Sequence, residues 1–301
     1  NKDGFIMFHM FFLLLCNCLF AADARPIGVR TLEFFDATRN HPVVVELWYP
    51  VDDNIECAAD HDKDKIWKKV WVYPREVRNA PLKIGAEKYP LIIMSHGHSG
   101  GRHDRSWFAE EMVKRGYVVA SVEHNGDNWE NLDPAYFFRP WDRPLDVSFA
   151  LDRILQTNAI TPFIDETRIG FCGYSMGGMT GLWLAGAIFS NVQKDVAAIC
   201  GNNIPEFLID GFFAGFNWVR VSASFKDERI NSYFLLAPAA SIFAQDSLRN
   251  ISAPVQIIYS EGDRTLPPEA HALYASGHVT GAKLTKIQGP ASHYVFLNEV
   301  S

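Results

Sequence analysis

Apolar positions along the chain follow two rhythms. Residues 31–36 (TLEFFD) and 43–49 (VVVELWY) are β-branched and aromatic runs separated by Thr38, Arg39, Asn40 and Pro42, a spacing that predicts an antiparallel hairpin. Residues 51–89 are polar and broken by prolines, and read as a surface excursion with one short helix or strand around 66–73. From residue 91 the pattern changes. Continuous apolar runs at 91–95 (LIIMS), 118–122, 169–174 (IGFCGY), 233–236, 255–260 and 282–287 alternate with helical periodicity at 104–115, 145–156, 176–187 and 268–276. Strands that are apolar at every position are buried on both faces. The alternation therefore predicts an α/β architecture: a mostly parallel sheet of about eight strands, helices on both faces, and ligands gathered at the carboxyl ends of the strands. A second excursion, near 188–228, is rich in Phe, Trp and Gly. No repeat or long linker interrupts residues 25–301, which read as one domain with insertions near 51–89 and 188–228.

Composition changes this picture in two places. The chain has 301 residues, 48% of them hydrophobic, and a net charge of −7, far from the signature of disorder. With 28 basic against 35 acidic residues and no extended basic run, it lacks the electrostatic footprint of a nucleic-acid binder. Part of the apolar total sits at one end, where residues 5–20 (FIMFHMFFLLLCNCLF) lead into Ala21, Ala22, Asp23 and Ala24. That is the pattern of a signal peptide over residues 1–24, cleaved after Ala24. It predicts a secreted or periplasmic protein with no stable membrane span after cleavage, a retained anchor being the competing reading. Of five cysteines, Cys16 and Cys18 fall in the leader. Cys57, Cys172 and Cys200 leave room for at most one disulfide, and no C-x-x-C pair suggests a zinc site. No cofactor is expected.

The most specific chemical signal is Gly173-Tyr174-Ser175-Met176-Gly177, a G-x-S-x-G pentapeptide between an apolar strand and a helix. That setting is the one a nucleophile elbow requires. A serine hydroxyl attacks only when a positioned base takes its proton, and in this arrangement the base lies late in the chain. His293, in a loop after the last predicted strand, fits; His271 and His278 flank the preceding helix and read as solvated surface residues. The acid that holds the imidazole is expected at the end of the 255–260 strand. Asp263 is favoured over Glu261 there because Gly262 allows a sharp turn back over the sheet. Oxyanion donors are expected from the backbone N–H groups of Met176 and His98, which makes Gly97 a position where substitution is harmful.

The same loop supports a reading of another class, because His96-x-His98 with His103 and Asp104 resembles a metal cluster. The positions that should be Asp and His in a two-metal hydrolase are Gly100 and Gly101, so no metal site is assigned. His124 is expected to line a pocket or bond a loop carbonyl. Arg143 and Asp146 are expected to anchor a helix start to a neighbouring loop, and Cys172 to be buried. Phe212, Phe213, Phe216 and Trp218 could form a lid or acyl pocket, or simply pack the second excursion onto the sheet.

Taken together, VELWYP (45–50), MSHGHSGGR (94–102), GYVVASVEHNGD (116–127), RPLDVSFALD (143–152), GFCGYSMGG (170–178) and PVQIIYSEGDRTLPPE resemble the α/β-hydrolase superfamily. Within it the chain is similar to the serine hydrolases grouped with dienelactone hydrolase and platelet-activating factor acetylhydrolase. The resemblance implies Ser175, Asp263 and His293 as a triad with His98 and Met176 as the oxyanion hole. Two departures limit what carries over: dienelactone hydrolase has a cysteine nucleophile, and the acetylhydrolases carry their acid where this chain has Leu235-Leu236-Ala237-Pro238. The expected activity is hydrolysis of a small or medium neutral ester through an acyl-enzyme. A lipase, phospholipid acetylhydrolase or polyesterase acting on lipid-like substrates is the alternative. A noncatalytic binding protein on a hydrolase scaffold is the alternative of another class.

Overall fold

The computed structural model describes residues 25–56, 76–190 and 217–298, without the side chains of Phe137, Phe138 and Trp218. The leader, the short element expected around 66–73, Cys57, Cys200, Phe212, Phe213 and Phe216 lie outside the described residues.

The opening hairpin pairs β1 (Ile27–Asp36) with β2 (His41–Pro50) in antiparallel register. Its turn is built by Asp36, whose Oδ1 accepts from the Thr38 N–H at 2.9 Å, and by Asn40 at φ 50°. β3 (Glu76–Arg78) adds to the outer edge, parallel to β1. β4 (Tyr89–Ser95), β5 (Val118–Glu123), β6 (Ile164–Tyr174), β7 (Ser232–Leu236), β8 (Val255–Ser260) and β9 (Lys283–Ile287) are mutually parallel, and β2 runs antiparallel to β5. The sheet order is β3-β1-β2-β5-β4-β6-β7-β8-β9. The helices are α1 (Ser106–Lys114), α2 (Asp142–Leu155), α3 (Met176–Leu184), α4 (Trp218–Val221), α5 (Gln245–Arg249) and α6 (Ala272–His278). Among the described residues no helix is long and apolar enough to cross a membrane.

The strands read as continuous apolar runs because the sheet is covered on both sides. In β4, Leu91 and Ile93 join one core with α2, α3 and α6, while Ile92 and Met94 join the other with α1. β5 divides the same way, Val118, Ala120 and Val122 against Val119. Pleating thus sends alternate residues into two separate hydrophobic layers.

Nine strands form where about eight were expected; the addition, β3, is three residues long inside a polar excursion and too short to carry a period. The helix expected from 268 begins at Ala272, after the Pro267-Pro268 pair, whose carbonyls accept turn bonds from Ala270 and His271. The helix expected from 145 begins earlier, at Asp142. Pro144 fits its first turn, where an N–H has no intrahelical partner. The helix expected to reach 187 stops at Leu184, with Gly186 at φ 109° just beyond.

Candidate active site

β6 ends at Tyr174 and α3 starts at Met176, so the whole change of direction falls on Ser175, at φ 56° and ψ −115°. A non-glycine residue there is strained and persists only when its surroundings fix it. The Ser175 N–H donates to the Leu236 carbonyl at 2.9 Å, and its own carbonyl accepts from Met179 and Ala239, each at 3.1 Å. Close approach of α3 to β4 completes the turn: a Cβ on Gly177 would collide with the Ser95 carbonyl.

Two further loops at the same rim bring partners to Ser175. His293 opens the 3-10 turn His293–Phe296 beyond β9, and its Nε2 lies 3.0 Å from Ser175 Oγ. His293 Nδ1 donates to Asp263 Oδ2 at 2.6 Å, beyond the end of β8. The other carboxylate oxygen, Oδ1, accepts from the N–H groups of Thr265 (2.9 Å) and Leu266 (2.8 Å), so both oxygens of Asp263 are fixed. Tyr174 donates its hydroxyl to the His293 carbonyl at 3.1 Å and lays its ring against the imidazole. All three residues are buried, Ser175 at 9% exposure, so their hydrogen bonds act in a medium poorer in water than the surface.

Glu261, the competing acid, points to solvent, where Lys286 pairs with it at 2.9 Å and holds its carboxyl below the usual range. Gly262 lies in the sharp turn expected there, closed by the Asp263 N–H donating to the Ser260 carbonyl at 3.2 Å, and its φ is not positive. It has a second role: a Cβ there would stand 2.7 Å from the Ala291 carbonyl, so its bare backbone lets the His293 loop close onto the Asp263 loop.

The loop after β4 approaches Ser175 through Gly97, where a Cβ would stand 3.0 Å from the Tyr174 ring and 3.3 Å from Ser175 Cβ. His98 follows in this loop. Met176 is the first residue of α3, a position whose N–H has no intrahelical partner. The His98 imidazole is half-exposed and donates from Nδ1 to Asp127 Oδ1 at 2.6 Å. His96 is fully buried, with Nδ1 donating to the Gly97 carbonyl at 2.7 Å and Nε2 accepting from the His124 N–H at 3.1 Å. Burial, with Arg143 nearby, keeps it well below its ordinary pKa and neutral. With these rings engaged, no group of three His, Cys, Asp or Glu side chains comes together as a metal site among the described residues.

Two histidines differ from expectation. The His124 ring bonds two side chains rather than a loop carbonyl. It is buried, bonded through Nε2 to Ser95 Oγ (2.8 Å) and through Nδ1 to Asp146 Oδ2 (3.0 Å), and burial pushes it down to about 4. His271 is not a solvated surface residue: it is buried beneath the loop after β7, where Nδ1 accepts from the Ala240 N–H at 3.2 Å, and burial lowers it to about 4. His278 is half-buried and donates to the Tyr274 carbonyl at 2.7 Å. Cys172 is a buried free thiol, pushed up to about 12 by burial. Trp218 lies in α4, and its side chain is outside the description.

Sequence reasoning missed Asp127, Tyr174 and Ser95 as parts of this neighbourhood. Only the spacing of Arg143 and Asp146, three apart at a helix start, hinted that α2 faces the loop. Around the rim, Trp107, Trp129, Tyr294 and Val295 are exposed. Tyr294 and Val295 follow His293 directly, Trp107 donates from its indole to the Phe296 carbonyl (3.1 Å), and the Trp129 N–H donates to the Gly100 carbonyl (3.0 Å).

Residues 70–130 match the family described as platelet-activating factor acetylhydrolase, isoform II. The chain is 44% identical to platelet-activating factor acetylhydrolase of Cavia porcellus over 61 residues, 20% of this chain and 13% of that one. It is 30% identical to cutinase est2 of Thermobifida alba over 115 residues, 38% of this chain and 32% of that one. The matched stretches therefore span a third or less of these relatives' lengths. Among solved structures, a ferulic acid esterase from Streptomyces cinnamoneus superposes with a TM-score of 0.60 at 20% identity, over 90% of this chain and 75% of that one. A nine-stranded, mostly parallel sheet with a strand-turn-helix elbow, together with the likeness to the ferulic acid esterase structure, gives this chain the α/β-hydrolase fold.

Proposed function

We propose that the protein is a serine carboxylic-ester hydrolase acting on a small or medium neutral ester, with residues 25–301 as one catalytic domain. The observation that carries this is the continuous hydrogen-bonded line Ser175 Oγ, His293 and Asp263, at 3.0 and 2.6 Å, built on a strained elbow. His293 Nε2 takes the Ser175 proton as Oγ attacks the ester carbonyl carbon. Asp263 holds the neutral tautomer and then stabilises the imidazolium. The N–H groups of His98 and Met176 receive the oxyanion. Collapse breaks the bond to the alcohol, which leaves with the proton from Nε2. Water, deprotonated by the same nitrogen, attacks the acyl-enzyme, and Nε2 returns the proton to Ser175 as the carboxylic acid departs. Relatives named as an acetylhydrolase, a cutinase and a ferulic acid esterase support acyl transfer to water. Export belongs to this reading and rests on the apolar run at 5–20 ahead of Ala22-Asp23-Ala24.

A second reading, lipid-like or polymeric esters met at a surface, is favoured by the exposed Trp107 in the first turn of α1, with Trp129, Tyr294 and Val295 exposed beside it. A panel of nitrophenyl esters of increasing acyl length separates the two. Highest kcat/KM on short soluble acyl chains is expected. A rate that rises only above the micellar threshold favours the second reading, and no turnover of any member contradicts both.

A further inference from the structure

The first turn of α2 presents Arg143 and Asp146 three residues apart, on one face of the helix, and both are buried. Arg143 spreads its guanidinium over one loop. Nη1 donates to the His96 carbonyl (2.7 Å), Nη2 to the Gly97 carbonyl (2.9 Å), and Nε (2.9 Å) and Nη2 (2.7 Å) to Asp127 Oδ2. Asp127 in turn accepts on Oδ1 from the His98 imidazole (2.6 Å) and the Ser99 N–H (3.0 Å), which pins Ser99 in the left-handed region at φ 51°. Asp146 holds His124, His124 holds the Ser95 hydroxyl, and the His124 N–H donates to His96. Ser95, His124 and Asp146 thus repeat the Ser-His-Asp connectivity of the active site. All three are buried, out of reach of any substrate, and Ser95 immediately precedes the loop in sequence.

We propose that Arg143 and Asp127, backed by Asp146, His124 and Ser95, are positioning residues for the oxyanion hole. This rests on the serine-hydrolase reading above. The physical link is the planar, trans peptide: the Gly97 carbonyl and the His98 N–H belong to one rigid unit and point in opposite directions. A carbonyl gripped by Arg143, by His96 Nδ1 (2.7 Å) and by the Gly100 N–H (3.3 Å) cannot rotate, so the donor at the other end of the plane cannot rotate either. Lysine at 143 keeps the charge but offers no fork to grip two carbonyls and a carboxylate together. Asparagine at 127 keeps the shape but removes the charge that holds both Arg143 and the His98 ring.

A donor held off its best direction weakens binding of the transition state and leaves ground-state binding nearly untouched. In Arg143→Lys, Asp127→Asn and Ser95→Ala, kcat on a short nitrophenyl ester is expected to fall, by about 10- to 100-fold for the first two, with KM within about threefold. The affinity for an alkyl trifluoromethyl ketone, which forms a tetrahedral adduct on Ser175, is expected to fall in step with kcat/KM across the three variants. Ser175→Ala is measured alongside. If it keeps full activity, the serine-hydrolase reading fails. If it is inactive while the three variants keep wild-type kcat, or lose only KM, or lose kcat with no change in ketone affinity, the positioning role is overturned. Ser95→Ala, a loss of one buried hydroxyl, keeps the test in force if Arg143→Lys does not fold.

Discussion

Asp263 and Glu261 stand two residues apart in one loop, and the structure gives them opposite environments. Asp263 is buried with each oxygen committed, one to His293 and one to two backbone N–H groups. Glu261 faces solvent and Lys286. Asp263→Asn should therefore lower kcat by about 10⁴-fold, the scale of losing the tautomer-fixing acid. Glu261→Gln should change it less than about twofold, as expected of an exposed surface pair. Steady-state kinetics on one ester decides, and the reverse ranking would move the acid. The sequence favoured Asp263, and Asp263 is the one that bonds His293 in the fold, past the sharp turn at Gly262 that motivated the choice. Gly262 is needed for the close approach of Ala291, a contact between loops that no local pattern encodes. The same limit hid Asp127 and Ser95. Their partners lie 16 to 29 residues away in sequence, and only the folded rim brings them together.

At the scale of elements, the chain announced the hairpin, the parallel strands and the helices because each has a period or a continuous run tied to burial on one or two faces. β3 and the late start of α6 escaped for the opposite reason: a three-residue edge strand has no period, and a Pro-Pro turn looks apolar without being helical. The contact that sets the elbow is between elements, α3 against the end of β4. Gly177→Ala should disturb it, since the added Cβ has no space beside the Ser95 carbonyl. The expected cost is about 1–3 kcal/mol from overpacking, read as a lower urea midpoint, with activity falling as Ser175 is displaced. An unchanged midpoint with unchanged activity would mean that the helix yields freely there.

For the whole molecule, buried ionisable groups shape how stability varies with pH. His124 and His271 are both held down to about 4 by burial, against about 6.5 in an unfolded chain. Their folded-state pKa values are depressed, so the unfolded state takes up protons first. Their contribution is complete above about pH 6.5 and is lost as pH falls through 4. Glu76 works in the other direction. It accepts from the Trp48 indole at 2.7 Å, and burial raises it to about 8, so the folded state keeps a proton that the unfolded state releases near 4.5. Its contribution is complete below about pH 4.5 and lost as pH rises through 8. Urea midpoints measured from pH 5 to 9 should thus fall above about pH 6.5, and Glu76→Gln should flatten that fall. A decline equally steep in the variant would show that another group causes it.

The proposed acyl transfer rests on the hydrogen-bonded line from Asp263 through His293 to Ser175. Intact-mass measurement of the full chain after incubation with an alkyl fluorophosphonate tests the nucleophile. One phosphonyl adduct per chain, mapped to Ser175 and absent from Ser175→Ala, is expected. An unlabelled chain, an adduct on another serine, or undiminished labelling of Ser175→Ala would contradict it.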